Sequence, residues 1–180
     1  VLRTHMRMSG SWHLYRPGER WQRRPSAMRV RLDTATWVAV AFDVPVAEFL
    51  RPRDLGRSRT LGALGPDLLS PTFNRDHALA RMAGAGARPI AEVLLDQRVL
   101  AGVGNVFRAE ALFVLGIDPR RPARDCSSDE LQSLWETLVA MLRKGVKDNR
   151  IVTINRRRFP VPREAAKRGD TTYVYHRDVC

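Results

Sequence analysis

A short glycine-bearing turn holds the residues with the clearest potential for chemistry. Gly102 and Gly104 stand one residue apart, and Asn105 follows them. Glycine has no Cβ, so the backbone here can adopt positive φ and approach another molecule closely. Asn105 opens a predicted helix, where the first N–H groups have no partner within the helix. Exposed amides, the helix dipole and a neutral side-chain donor together predict a binding site for an anion such as phosphate.

Two other interpretations of this turn stay open. In the first, the glycines form an ordinary tight turn and Asn105 is an ordinary N-cap. In the second, the turn belongs to a helix-hairpin-helix motif, whose Gly-x-Gly turn also binds DNA phosphates without reading sequence. Taken alone, the three residues favour the ordinary turn.

Apolar spacing and capping residues predict the helices that position this turn. Asn74 is the predicted N-cap of a helix that runs through Met82. Pro89 fits the first turn of a second helix, which leads into the glycine turn. A third helix starts near Asn105 and ends before Gly116, a predicted left-handed cap.

The fourth predicted helix has the strongest pattern. Ser127 and Glu130 form a capping box at its start. Its apolar residues follow at amphipathic spacing, so this stripe is predicted to be core and not a cofactor site. They are Leu131, Leu134, Trp135, Leu138, Val139 and Leu142.

The first fifty residues alternate as β-strands do. Polar and apolar side chains alternate from Thr4 to Met8, and the run from Thr36 to Phe42 is β-branched and aromatic. Two antiparallel strands are predicted to meet at the turn formed by residues 16–18. A further short strand is predicted over residues 172–175. The β half is expected to be part of a sandwich whose first strands are missing.

Charge points to a polyanionic partner. The formal net charge is +12 and the pI is near 11.1, which gives a field that attracts nucleic acid. The alternative is that the arginines reflect the base composition of the coding genome. No apolar run approaches the ~20 residues that span a bilayer, and no signal peptide is seen. Two cysteines make no disulfide framework, and the expected location is the cytoplasm.

The whole string from Leu95 to Glu110 resembles the helix-two-turns-helix signature of formamidopyrimidine-DNA glycosylases and endonuclease VIII proteins. The likeness includes Asp-Gln before the turn, Ala-Gly-x-Gly-Asn in it, and the aromatic residue and glutamate after it. Residues 5–12 resemble the family's strand entering its DNA-facing loop, and residues 64–69 its linker into the helical domain. Residues 174–177 resemble its Tyr-x-Arg run before the zinc finger, and the endonuclease VIII branch is the expected one.

This resemblance implies an α+β fold. A partial β-sandwich over residues 1–62 would be followed by a helix-two-turns-helix domain over residues 63–150, with DNA between them. Residues 151–180 would be a basic loop and the start of a truncated zinc-finger region.

The same resemblance implies five DNA-binding residues. Asn105, with Gly104, would hold a phosphate that flanks the lesion. Tyr175 would contact another phosphate, and Arg177 belongs to the same run. Met8 would enter the space left by the extruded nucleotide, because an unbranched apolar side chain fills irregular gaps. The alternatives are that Met8 is a core methionine, Tyr175 an aromatic residue of a sheet and Arg177 a solvated charge.

The family's catalytic and zinc-binding residues have no counterparts among these 180 residues. Its nucleophile is an N-terminal proline beside a glutamate, and a lysine assists strand cleavage. Here residue 1 is Val1, no proline precedes Pro17, and no lysine precedes Lys144. The family's zinc site uses four cysteines, and Cys180 would be a doubtful single ligand, so this chain alone is not expected to bind zinc.

The expected function follows from this family. The chain would be a monomeric, nucleoid-associated member of the base-excision-repair glycosylases and abasic-site lyases, bound to duplex DNA with damaged bases or abasic sites. Its own catalysis would be absent or impaired. Oxidised pyrimidines are the expected lesions, because of the overall pattern of residues 10–13 and because residues 40–50 lack the arginine and phenylalanine wedge of the purine-directed branch. A non-catalytic DNA-binding protein and an RNA-associated protein are the alternatives.

Overall fold

The computed structural model describes residues 1–7, 9–154 and 171–176. The chain divides into two compact units, Val1–Gly62 and Ala63–Cys180. Short strands build the first unit and helices build the second. This confirms the α+β fold class, with a β half that precedes a helical half.

Five strands form two antiparallel sheets in the first unit. Strands β1 (Leu2–His5) and β5 (Val46–Phe49) pair as a two-stranded sheet. Strands β2 (Ser11–Tyr15), β3 (Met28–Asp33) and β4 (Val38–Phe42) form the other sheet, in the order β2-β4-β3.

The strands that flank residues 16–18 do not pair with each other, so the prediction that they meet there is wrong. Strand β4 lies between β2 and β3 and is paired with both. The connection from β2 to β3 includes a 3₁₀ turn, Pro25–Ala27, and Trp21, which packs against the core. A connection with its own packed residue separates the two strands instead of closing a hairpin.

The two faces of the three-stranded sheet differ in burial. One face buries Tyr15, Val38, Val40 and Phe42. The opposite face carries Trp12, Leu14 and Leu32, and Leu14 is 68% exposed. Successive side chains of a strand point to opposite faces, so these three residues give the sheet an open apolar face opposite its core.

A 3₁₀ segment, Pro52–Arg57, and one turn of helix, α1 (Arg59–Gly62), end the first unit. Four helices dominate the second unit: α2 (Arg75–Ala83), α3 (Ile90–Leu95), α4 (Asn105–Leu115) and α5 (Ser128–Asp148). A further 3₁₀ turn, Ala123–Asp125, precedes α5. Within the described residues, no helix is both long and apolar enough to cross a membrane.

The caps predicted at Asn74, at Gly116 and at Ser127 with Glu130 are present. The Asn74 side chain accepts a hydrogen bond from the backbone N–H of His77, and Gly116 ends α4 with φ of 66°. Ser127 and Glu130 form the reciprocal capping box of α5. The stripe of α5 is buried except for Trp135, which is half-buried, and Leu134 and Leu138 are fully buried. These interactions fix the helices that carry the glycine turn.

Candidate nucleic-acid interface

Gln97 holds the turn between α3 and α4 together. Its side-chain Nε2 donates to the backbone oxygens of Leu95 at 3.1 Å and Val103 at 2.8 Å. Its Oε1 accepts the backbone N–H of Gly102 at 3.0 Å. The sequence indicated this glutamine only as part of a motif, whereas the structure shows that it fixes the turn from inside.

The glycines of the turn have different conformations. Gly102 has φ of 104°, which L side chains rarely adopt, whereas Gly104 is extended, with φ of −112°, and is the N-cap of α4. Gly104 has no side chain to cap the helix, and Asn105 is the first helical residue, so the interpretation of Asn105 as the N-cap is wrong. Asn105 is exposed, and its side chain has no hydrogen-bond partner among the described residues.

The segment resembling the family linker packs directly onto the turn. The backbone N–H of Gly65 donates to the Gln97 carbonyl at 2.8 Å, and that of Ala101 donates to the Pro66 carbonyl at 3.0 Å. A Cβ on Gly65 would lie 2.6 Å from the Arg98 carbonyl oxygen. This approach of two backbones requires glycine at position 65.

Asp96 anchors two arginines at the start of the turn. Its carboxylate accepts hydrogen bonds from Arg98 Nε at 2.9 Å and from Arg88 at 3.1 Å. The hydrogen bonds from Arg98 hold the pKa of Asp96 far below its usual range, although partial burial opposes them. The carboxylate is therefore ionised near neutrality and keeps the Arg98 side chain beside the turn.

Glu110 is fully buried and accepts hydrogen bonds from two distant parts of the chain. Oε2 accepts the Tyr173 N–H at 2.7 Å and the Thr153 hydroxyl. Oε1 accepts the N–H groups of Val174 at 2.8 Å and Tyr175 at 2.9 Å. A buried carboxylate is costly unless such donors surround it. Nothing in the sequence indicated this role beyond a glutamate inside a recognised motif.

Three consecutive N–H groups around one carboxylate are incompatible with a regular β ladder, and the prediction of a strand over residues 172–175 is wrong. The segment is bends and turn, and the ring of Tyr173 lies 5.7 Å from that of Phe113 on α4. Tyr175 is half-buried, with His176 at its ring edge. Tyr175 is thereby fixed to α4 at Glu110, which lies about 7.5 Å beyond Asn105 along the helix axis.

Two predicted site residues, Met8 and Arg177, lie outside the described residues. The residues around Met8 form a tight connection, since the Gly10 N–H donates to the Met6 carbonyl at 2.9 Å. Cys180 also lies outside the described part. Within the described ranges, no group of three or more His, Cys, Asp or Glu residues is placed to hold a metal, and Cys126 is buried in the helical core.

The chain has a unit of β-strands followed by helices, and α3 and α4 join through a glycine turn that Gln97 holds. This arrangement places it in the class of helix-two-turns-helix proteins. The formamidopyrimidine-DNA glycosylase H2TH domain model matches residues 64–156. The chain belongs to the formamidopyrimidine-DNA glycosylase and endonuclease VIII family.

Curated relatives agree with this membership. A probable endonuclease 8 2 of Streptomyces coelicolor is 38% identical over 178 residues, which are 98% of this chain and 60% of that protein. Endonuclease 8 1 of Mycobacterium tuberculosis is 31% identical over 86% of this chain and 57% of its own length. The chain thus spans about 60% of the relatives' length.

The fold also matches a solved structure of the family. The Lactococcus lactis formamidopyrimidine-DNA glycosylase, bound non-covalently to DNA containing an abasic site, has a TM-score of 0.68 at 19% identity. The match covers 81% of this chain and 55% of that one. At this identity the likeness concerns the fold.

Proposed function

We propose that this chain binds duplex DNA at damaged or abasic sites, as part of a base-excision-repair glycosylase and abasic-site lyase. The observation that supports it best is the open start of α4. Gly104 caps the helix without a side chain, and the exposed Asn105 amide has no partner in the described part of the chain. Free N–H groups, the helix dipole and this amide suit a phosphate that flanks the lesion.

The other binding residues extend this proposal. Tyr175 contacts a second phosphate from the segment that Glu110 holds. Met8 fills the gap left when the damaged nucleotide leaves the stack, which costs a few kcal/mol. Arg177 adds charge to the same run. Relatives named as endonuclease 8, and a solved neighbour bound to DNA with an abasic site, support the assignment of the partner.

We further propose that these 180 residues bind without cutting. The family's proline nucleophile and strand-cleaving lysine have no counterpart here, since no proline precedes Pro17 and no lysine precedes Lys144. Oxidised pyrimidines are the proposed lesions of the family member to which this sequence corresponds. The second candidate is a non-catalytic DNA-binding protein of the same fold. In that case binding is the whole function, whereas in the first candidate the sequence corresponds to a longer, active enzyme.

Binding across a salt series tests the proposal. The 180-residue chain is titrated with duplexes containing an abasic site, an oxidised pyrimidine or 8-oxoguanine, with borohydride present in parallel tubes. We expect saturable binding that weakens steeply with salt, tighter binding to the pyrimidine lesion than to 8-oxoguanine, and no covalent adduct. Asn105→Ala should weaken binding about tenfold, because a hydrogen bond to a charged group is removed. Gln132→Ala, an exposed amide on α5, is the control and should bind as the wild type does.

Each part of the proposal can fail separately. Absence of saturable DNA binding overturns the proposed function. Equal effects of the two amide substitutions overturn the role of Asn105. A borohydride-trapped adduct means that an amine of this chain forms a Schiff base, and the statement about catalysis is then wrong.

A further inference from the structure

The β unit contains a pocket whose lining is dominated by arginine. It is an open pocket of about 790 Å³ beside the connection from β2 to β3. Five arginines and a single acidic residue, Glu19, line it. The arginines are Arg16, Arg20, Arg23, Arg24 and Arg31.

The loop that carries these arginines is fixed to the core. The Trp21 ring packs edge-on against Phe42 at 5.6 Å and beside Tyr15 at 6.4 Å. The Tyr15 hydroxyl accepts the backbone N–H of Gln22 at 3.1 Å. Both Tyr15 and Phe42 are almost fully buried. The arginines on either side of Trp21 and Gln22 therefore extend from a rigid backbone.

Two of the five guanidinium groups already have partners. Arg31 forms a bidentate ion pair with Asp33, with distances from 2.7 to 3.0 Å. The guanidinium of Arg16 lies 3.8 Å above the ring of Trp37. Glu19 is occupied as well, since its carboxylate accepts the Arg16 backbone N–H at 2.7 Å.

The guanidinium groups of the other three arginines have no such partners in the described part of the chain. Within the described ranges, Arg20, Arg23 and Arg24 form no ion pair and no side-chain hydrogen bond. Like charges gathered on a fixed loop repel one another, and an anion between them relieves that repulsion. Guanidinium groups match phosphate oxygens bidentately, which makes phosphate the preferred anion.

We propose that this pocket is a second phosphate-binding site, which takes the backbone of a nucleic-acid strand independently of the glycine turn of the helical unit. The pocket is open and its arginines are exposed, so an extended polyanion fits it better than a small anion that needs enclosure. The inference rests on the proposed function, because it assigns a further binding surface to the same partner.

A charge-matched pair of triple variants tests this site. Arg20→Gln, Arg23→Gln and Arg24→Gln are combined in one variant. The control combines Arg29→Gln, Arg53→Gln and Arg57→Gln, three exposed arginines of the same unit that do not line the pocket. Both variants remove the same charge. Binding to an undamaged duplex is measured from 50 to 300 mM salt, with Asn105→Ala beside them.

We expect the slope of log affinity against log salt to fall by about two in the pocket variant, because each phosphate that the protein no longer neutralises lowers the slope by ~0.9. The control slope should change by less than about 0.5. Equal slopes in the two triple variants would mean that only total charge matters, and the pocket proposal would be overturned. If Asn105→Ala still weakens binding in that case, the proposed function survives without the pocket.

Inorganic pyrophosphate distinguishes a strand from a free phosphate ligand. Calorimetric titration of the wild type should show no saturable binding below millimolar concentration. Tight pyrophosphate binding that the pocket variant loses and the control retains would assign the pocket to a small anion and overturn the strand. A wild type that binds neither DNA nor pyrophosphate overturns the proposed function and the pocket together.

Discussion

The helical unit and the β unit bury their apolar residues to very different extents. Among the described residues, nineteen buried side chains form a continuous core in the helical unit, whereas five form that of the β unit. The β unit also leaves Leu14 and Phe49 exposed by 68% and 79%. The candidate site on α4 therefore rests on the larger core, while the arginine pocket rests on a small, mainly aromatic cluster.

Removal of the Glu110 carboxylate should have the largest effect on the helical unit. Glu110→Ala removes the carboxylate that accepts three backbone N–H groups and one of the two acceptors of the Thr153 hydroxyl, and each buried donor left unsatisfied costs about 1–3 kcal/mol. We expect a decrease of about 4 kcal/mol in the free energy of unfolding in urea, with weaker DNA binding. Glu110→Gln, which keeps one acceptor oxygen, should fall between this variant and the wild type. Glu92→Ala, an exposed glutamate on α3, is the control. Wild-type stability in Glu110→Ala would mean that the hydrogen bonds accepted by Glu110 do not stabilise the helical unit.

A cavity made by shortening a buried side chain of α5 should show whether the two units unfold separately. Leu138 is fully buried, and Leu138→Ala should lower the free energy of unfolding of the helical unit by about 3 kcal/mol. The β unit should keep its own transition in differential scanning calorimetry. If the transition temperatures of both units fall together, the units unfold as one, and the difference between their cores does not determine their stability.

Acid should weaken the helical unit first. Hydrogen bonds from Arg98 lower the pKa of Asp96, and those from Arg121 lower the pKa of Glu130 to about 2. A carboxyl whose pKa is lowered by folding stabilises the folded state above its unfolded pKa, near 4, and loses that contribution as pH falls. Chemical unfolding between pH 6 and pH 2 should show a decline in stability that begins near pH 4. In Asp96→Asn the decline should be smaller; an unchanged profile would mean that Asp96 does not contribute to it.

Replacement of an exposed apolar residue should have the smallest effect on stability. Leu14→Ser should change the free energy of unfolding by less than about 0.5 kcal/mol, because little burial is removed. It should reduce aggregation, since Leu14 belongs to the open apolar face. Val146→Ser, at a residue of the helical unit that is 70% exposed, is the control. Light scattering that falls equally in both variants would mean that the open face has no special role.

Local patterns predicted most of the helical unit. Asn74, Ser127 with Glu130, and Gly116 are capping residues whose effect depends on neighbours within four positions. The pairing of β2 with β4 and the wrap of residues 173–175 around Glu110 join residues that are far apart in sequence. Periodicity carries no information about such partners, which explains both wrong strand predictions.

Only the part of the candidate site that is local in sequence was predictable. The glycine turn and Asn105 are contiguous, so their spacing shows in the sequence. Gln97 and Gly65 act through backbone groups of other segments, and their roles appear only when those segments are in place. The arginine pocket was not predicted either, because it joins residues that are apart in sequence: Arg31 comes from β3 and the others from the preceding connection.

Thr171 accepts hydrogen bonds from the backbone N–H groups of both Thr153, at 2.8 Å, and Ile154, at 3.3 Å. Because Thr153 and Tyr173 also donate to Glu110, the chain before residue 155 and the chain after residue 170 are held to each other as well as to α4. Their amide hydrogens should therefore exchange with solvent as one cooperative unit.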